Sequence, residues 1–365
     1  MQKFTLPALI LLGALLALSG CGGSDDNTSP LLVTGWSIGK RADGTAAIFH
    51  TANGGSSWTE QGNTALWQGL SGNDISAVDA LTAWAAVGDE TTGEGAILNT
   101  TDGGKTWELQ TLPDGVHEPV KGIKGLSRTV AWAVTLGGTI MRTLDGGKTW
   151  VVIPHEGVDI YQVNRMDVLG NDIWIADVGS GNRGIIHSSD FGLTWRKEQL
   201  PEGSQPMEGP MCISIVNSRV VWAAVRPEAD VYRTLDGGAT WNLDAPNVTG
   251  PNDIDDICSP EEDIAWMVQN VGGEASGNII RVRMVDGKPV SDVMSPAHGY
   301  YVFEGVSCFN EKAVWVVGHK SMEAPASLST GVILRTLDGG KTWTSQTVPS
   351  NDVNIWKVSF AGARR

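Results

Sequence analysis

Apolar residues in this chain fall into short runs of alternating character, each closed off by turn residues. Residues 74–110 show the unit: Ile75 to Val78, Ala83 to Val87, Ala96 to Asn99 and Trp107 to Leu109, four strand-like stretches bounded by Gly, Asp and Thr. Four antiparallel strands in roughly 45 residues make one blade of a β-propeller. A β-solenoid would need shorter repeats. The longest uncharged apolar run, Ala8 to Leu18, is too short to span a bilayer.

The unit recurs. The pattern Thr/Ser, any, Asp/Asn, any, Gly, any, Thr/Ser, Trp runs from Thr51 to Trp58, Thr100 to Trp107, Thr143 to Trp150, Ser188 to Trp195, Thr234 to Trp241 and Thr336 to Trp343. Its third positions are Asn53, Asp102, Asp145, Asp190, Asp236 and Asp338. The wide gap before the last copy holds Arg281 to Lys288, with Asp286-Gly287 as a degenerate copy. A second series lies upstream of each copy: Trp36, Trp84, Trp132, Trp174, Trp222, Trp266 and Trp315, 42 to 49 residues apart. Both landmarks count seven, so the fold class is all-β, a single seven-bladed propeller of four-stranded antiparallel blades.

Asp and paired Gly supply the side-chain hydrogen bonds and positive φ of a tight turn between third and fourth strands. The Trp that follows is expected to anchor between sheets, so these six side chains read as structural. The first blade starts at its second strand, around Trp36. Ile355 to Phe360 is therefore expected to supply its missing inner strand and close the ring, leaving no unpaired edge.

The apolar run ends in Leu18-Ser19-Gly20-Cys21, which resembles a bacterial lipobox. Residues 1–20 are then a lipoprotein signal peptide, 21–30 a flexible tether on a lipidated Cys21, and 31–365 the propeller. The expected location is exported and membrane-anchored, on the periplasmic or outer-surface side. A formal net charge of −15 argues against a nucleic-acid partner. Cys212, Cys258 and Cys308 lack zinc-site spacing. Cys258 and Cys308 fall on inner strands and read as buried thiols, with a bridge between them as the alternative. The acidic group Asp253, Asp255 and Asp256 lacks the calcium-loop pattern and reads as a solvated turn. No metal, cofactor or catalytic residue is assigned.

First-to-second and third-to-fourth turns share one face of a propeller. The opposite face collects the longer connections, residues 88–95, 111–118, 154–160, 198–210, 244–254, 269–278, 288–300 and 318–331, and variable loops on a rigid scaffold carry recognition. Candidate partner-binding residues there are Asp89, Asp177, Arg183 and Arg226, together with Tyr300, Tyr301, His319 and Lys320.

The repeat is the Asp-box, or bacterial neuraminidase repeat, shared by sialidases, glucan-cleaving hydrolases, sortilin-type receptors and photosystem II assembly and stability factors. Seven blades, a lipobox and the form Arg-Thr-Leu-Asp-Gly-Gly-Lys-Thr-Trp, at 142–150 and 335–343, most resemble the assembly-factor group. That resemblance implies a non-catalytic scaffold with no cofactor, holding a membrane or exported protein. The group is associated with a basic face, whereas this chain is acidic and its arginines read as scattered rather than recurring at one blade position. A glycan- or ligand-binding surface module is the alternative. A sialidase-like glycoside hydrolase is the weaker one, because the Phe-Arg-Ile-Pro stretch is missing and sialidases have six blades.

Overall fold

The computed structural model describes residues 33–362, apart from 180–183, 199, 202–209, 226–228, 249, 251–252, 271–276, 295–300 and 321–329. The signal peptide, Cys21 and the tether lie outside the described residues. The chain forms seven four-stranded antiparallel sheets, each in simple up-and-down order. The innermost strands of blades 2 to 7 are Ser71–Ala77, Val120–Gly125, Val163–Leu169, Pro210–Ile215, Ile254–Glu261 and Tyr301–Cys308. Blade 1 takes its inner strand from the other end of the chain. Val353–Phe360 lies antiparallel to Gly35–Arg41, from Gly35 opposite Phe360 to Arg41 opposite Val353, so the ring closes as the sequence predicts.

Seven apolar clusters hold the disc together, one at each seam between neighbouring blades. Each contains one member of the second-strand Trp series, and all seven of those rings are fully buried. Burying a side chain that large stabilises by about 2–3 kcal/mol. Three box Trp rings pack edge-on against the second-strand Trp of the blade before: Trp150 on Trp84 at 5.7 Å between ring centres, Trp241 on Trp174 at 5.8 Å and Trp343 on Trp266 at 6.1 Å. Edge-to-face geometry sets the electropositive rim of one ring on the electron-rich face of the other.

The Asp boxes are turns of one design. In blade 2 the Thr100 hydroxyl donates to Asp102 (2.9 Å) and accepts from the Gly104 N–H (2.9 Å), while Asp102 accepts from the Thr106 N–H (3.0 Å) and hydroxyl (2.7 Å). Gly103 and Gly104 sit at φ +79° and +80°, a region a Cβ disfavours. Asp145, Asp190, Asp236 and Asp338 repeat this set; Asn53 accepts the Ser57 N–H with its amide oxygen but donates its amide N–H to the Ser57 hydroxyl. Blade 6 departs from the expectation of a degenerate box. Val285 pairs directly with Lys288, leaving a two-residue turn at Asp286 (φ 51°) and Gly287 (φ 73°). Asp-Gly suits that hairpin by itself, and the fourth strand, Lys288–Met294, grows to seven residues.

Two further expectations are corrected. The arginines recur at one blade position: Arg142, Arg233, Arg281 and Arg335 each stand opposite the second-strand Trp of their blade. The first three guanidinium groups lie 5.1, 4.8 and 5.3 Å from their Trp ring centres. Arg142, Arg281 and Arg335 then donate across the seam to the carbonyls of Phe191, Gly339 and Gly54 in the next box. A planar cation can stack on a ring and still reach an acceptor at its edge, so these arginines stitch blades rather than form a basic face. Cys258 and Cys308, on the adjoining inner strands of blades 6 and 7, form a disulfide, so the bridged alternative replaces the free-thiol reading. Cys212 is a buried free thiol.

Candidate functional site

On the face opposite the boxes, the structure brings together part of the expected residue set. Tyr301 begins the inner strand of blade 7 and pairs with Lys320 at the end of the second strand, whose ammonium lies 5.8 Å from the Tyr301 ring centre. Tyr301 stacks on Phe303, with ring centres 5.6 Å apart. His319 opposes Val302; burial pushes its imidazole below the ordinary value, and its Nδ1 has no hydrogen-bond partner among the described residues. Asp89 is on blade 2, partly exposed, and caps its own loop by accepting the Thr91 N–H at 2.7 Å. Arg183, Arg226 and Tyr300 lie outside the described residues.

Asp177 is a correction. It is fully buried, and one of its oxygens accepts the N–H groups of Gln162 (2.8 Å) and Gly179 (3.1 Å). A carboxylate satisfied by backbone donors in this way is a loop clamp, not a contact surface.

The inner strands line a central concavity. A cavity of about 430 Å³ is walled by the C-terminal halves of the inner strands, the ends leading into the turns beside the Asp boxes. The Gly103 N–H to Leu81 carbonyl bond and the Gly237 N–H to Arg219 carbonyl bond place those turns and the boxes on one face. The sequence carries no local sign of this cavity, because its walls are assembled from seven strands far apart in the chain.

A charge network lies in that cavity. The Lys357 ammonium meets Asp256 at 2.6 Å, Arg165 lies 3.6 Å from the other oxygen of Asp256, and Lys124 meets Asp167 at 2.7 Å. Asp256 is therefore a strand residue, 8% exposed, and the reading of a solvated turn is overturned: the strand extends through it to meet the buried cations. Asp255 lies on the same strand, and Asp253 just precedes it. Burial pushes the Asp74 and Glu304 carboxyls above their ordinary values, with Lys357 and Arg165 opposing. Burial lowers Lys357, with Asp256 opposing. A second hollow, on blade 1, is bordered by Arg41, Asp43, Glu60 and Gln68. The neighbouring Trp67 is buried, with its indole N–H donating to the Ala46 carbonyl, and so offers no ring to a sugar.

Box turns, Trp anchors and a closed ring define an Asp-box propeller. Residues 116–255 match the family of the photosynthesis system II assembly factor YCF48. Among solved structures, the chain is similar to a YCF48 bound to D1 peptide, at 20% identity over 77% of this chain and 83% of that one, with a TM-score of 0.55. It is similar to YCF48 from Cyanidioschyzon merolae at 16% identity over 80% and 95% of the two chains, TM-score 0.54. It is also similar to an ancestral GH74 enzyme at 12% identity, over 84% of this chain and 54% of that one, TM-score 0.52. No curated protein matches it. The chain is thus a BNR-repeat propeller that resembles the photosystem II assembly factor.

Proposed function

We propose that this propeller is a non-catalytic, membrane-anchored scaffold that holds a protein partner through the loop face opposite the Asp boxes. The observation that carries the reading is the family match over residues 116–255, joined to the likeness to a YCF48 bound to D1 peptide. The carboxyl groups support the same reading. The box Asp side chains and Asp177 accept backbone N–H groups, Asp256 meets Lys357 and Asp292 meets Arg281, so none of these is one of the two free carboxyls a glycosidase needs at the scissile bond. The partner is a membrane or exported protein. It meets an aromatic and cationic patch formed by Tyr301 and Lys320, with His319 beside them; Asp89 and, outside the described residues, Arg183, Arg226 and Tyr300 are the further contacts the sequence suggests.

In this reading residues 1–20 are a lipoprotein signal peptide, and acylated Cys21 with the tether 21–30 holds the disc near the bilayer. Two acyl signals suffice for stable anchoring where one chain does not. The test is co-purification from native membranes with the Cys21→Ser variant alongside. A stoichiometric membrane-protein partner, recovered with the lipidated form, is expected. Turnover of a glycoside panel by the purified protein would sink the reading.

A further inference from the structure

On the walls of the central cavity several side-chain donors find no acceptor among the described residues. The carboxylates there are already engaged. Asp74 accepts the N–H of Ile75 (2.9 Å) and, across the seam, that of Ile123 (3.0 Å). Asp167 accepts the N–H groups of Val168 (3.0 Å) and Ile215 (2.9 Å) besides meeting Lys124. Asp256 accepts the Val306 N–H at 3.0 Å besides meeting Lys357.

The cavity's serines are used on their acceptor side only. Ser76 Oγ accepts the Gly125 N–H, Ser214 Oγ that of Ser259 and Ser359 Oγ that of Ala77, each at 3.0 Å. A hydroxyl that accepts still has its own proton to give, and among the described residues none of the three finds an acceptor. Ser259 is 0% exposed, lines the same cavity, and its Oγ has no partner among the described residues. Arg165 repeats the pattern. Two of its guanidinium nitrogens donate to the carbonyls of Asn164 (2.9 Å) and Asp255 (3.3 Å), while its Nε faces Asp256 at 3.6 Å, an ion pair too long for a hydrogen bond.

Burying unspent donors is unfavourable unless something accepts from them. The cavity, about 430 Å³, falls within the roughly 300–1,000 Å³ of small-molecule sites. A ligand that accepts many hydrogen bonds, donates few and carries negative charge toward Lys357 and Arg165 complements these walls. We propose that the central cavity binds a small oxyanion, a carboxylate or a phosphate species, held by the hydroxyls of Ser76, Ser214, Ser259 and Ser359 above the Lys357 and Arg165 cations. This site lies apart from the partner face and stands or falls independently of it.

The experiment uses the full chain freed of small anions, titrated calorimetrically with citrate and, separately, with inorganic phosphate, against chloride at matched ionic strength. One-to-one binding of one of the two is expected, and which one binds separates a carboxylate ligand from a phosphate ligand. Ser259→Ala removes a donor that supports nothing else, so it should weaken binding about tenfold, the effect of one hydrogen bond to a charged acceptor. The same variant should melt at the wild-type temperature in anion-free buffer. Heat no greater than with chloride for both anions, or unchanged affinity in both Ser259→Ala and Ser214→Ala, overturns the proposal. Should Ser259→Ala melt early, wild-type crystals grown with selenate decide: anomalous density in the cavity supports the site, and density only elsewhere overturns it.

Discussion

Arg335 reaches from the last blade to the first, where its Nη1 donates to the Gly54 carbonyl at 2.8 Å. The Trp315 indole N–H donates to the same oxygen at 3.0 Å. This seam joins the two ends of the chain, and it carries the stitch that Arg142 and Arg281 make elsewhere. Arg335→Ala removes that hydrogen bond from a half-buried site. A loss of about 1–2 kcal/mol is expected, read by urea unfolding. Deleting residues 351–365 should do far more, because blade 1 loses its inner strand. A truncated chain that melted like the intact one would show that the ring is not closed there.

The Cys258–Cys308 bridge ties neighbouring inner strands across 50 residues of chain. Closing a loop of that length removes unfolded-state freedom worth about 4 kcal/mol in the chain-entropy treatment. The double variant Cys258→Ser/Cys308→Ser should therefore melt clearly lower than wild type in non-reducing buffer. In strong reductant the gap should nearly vanish, since the wild type then loses the same constraint.

The Asp boxes set an acid limit. The Thr106 N–H on Asp102 and the Thr194 hydroxyl on Asp190 hold those carboxyls at about 2, against an ordinary 3.8, and Asp145, Asp236 and Asp338 shift the same way. A carboxyl whose folded pKa is depressed stabilises the fold above its unfolded value and loses that contribution as pH falls toward the folded one. Stability should fall steeply between about pH 4 and pH 2. Asp102→Asn, which copies the side chain blade 1 already uses at Asn53, should fold and show a shallower acid slope in melts across that window.

Lys357 is 6% exposed and rests against Asp256, itself 8% exposed. Replacing it by Met leaves a buried carboxylate without its nearest cation, so Lys357→Met should cost about 3–5 kcal/mol. Adding Asp256→Asn should recover part of that loss. If the single variant matched wild type in chemical denaturation, Arg165 would already suffice for Asp256.

The propeller was legible because its landmarks are local. Trp36 and its six counterparts, and the Thr-x-Asp-x-Gly turns, each report a blade within eight or fewer residues, and their spacing counts the ring. The charge network was not legible. Lys357 meets Asp256 from about a hundred residues away, and Arg165 comes from a third strand, so no window of sequence contains the pairing. Asp177 misled because an acid at a strand end looks the same whether it faces solvent or turns inward onto the N–H groups of Gln162 and Gly179. The arginines misled because Arg281 carries no box beside it, which hid the blade position it shares with Arg142, Arg233 and Arg335.

The partner-binding face is tested most directly by site-specific photocrosslinking in native membranes. A photoreactive side chain at position 320, on the loop face, is compared with one at position 148, in the Asp box of blade 3. The account predicts a single saturable protein adduct from position 320 and none from position 148. An adduct confined to position 148, or no adduct at either position, would contradict it.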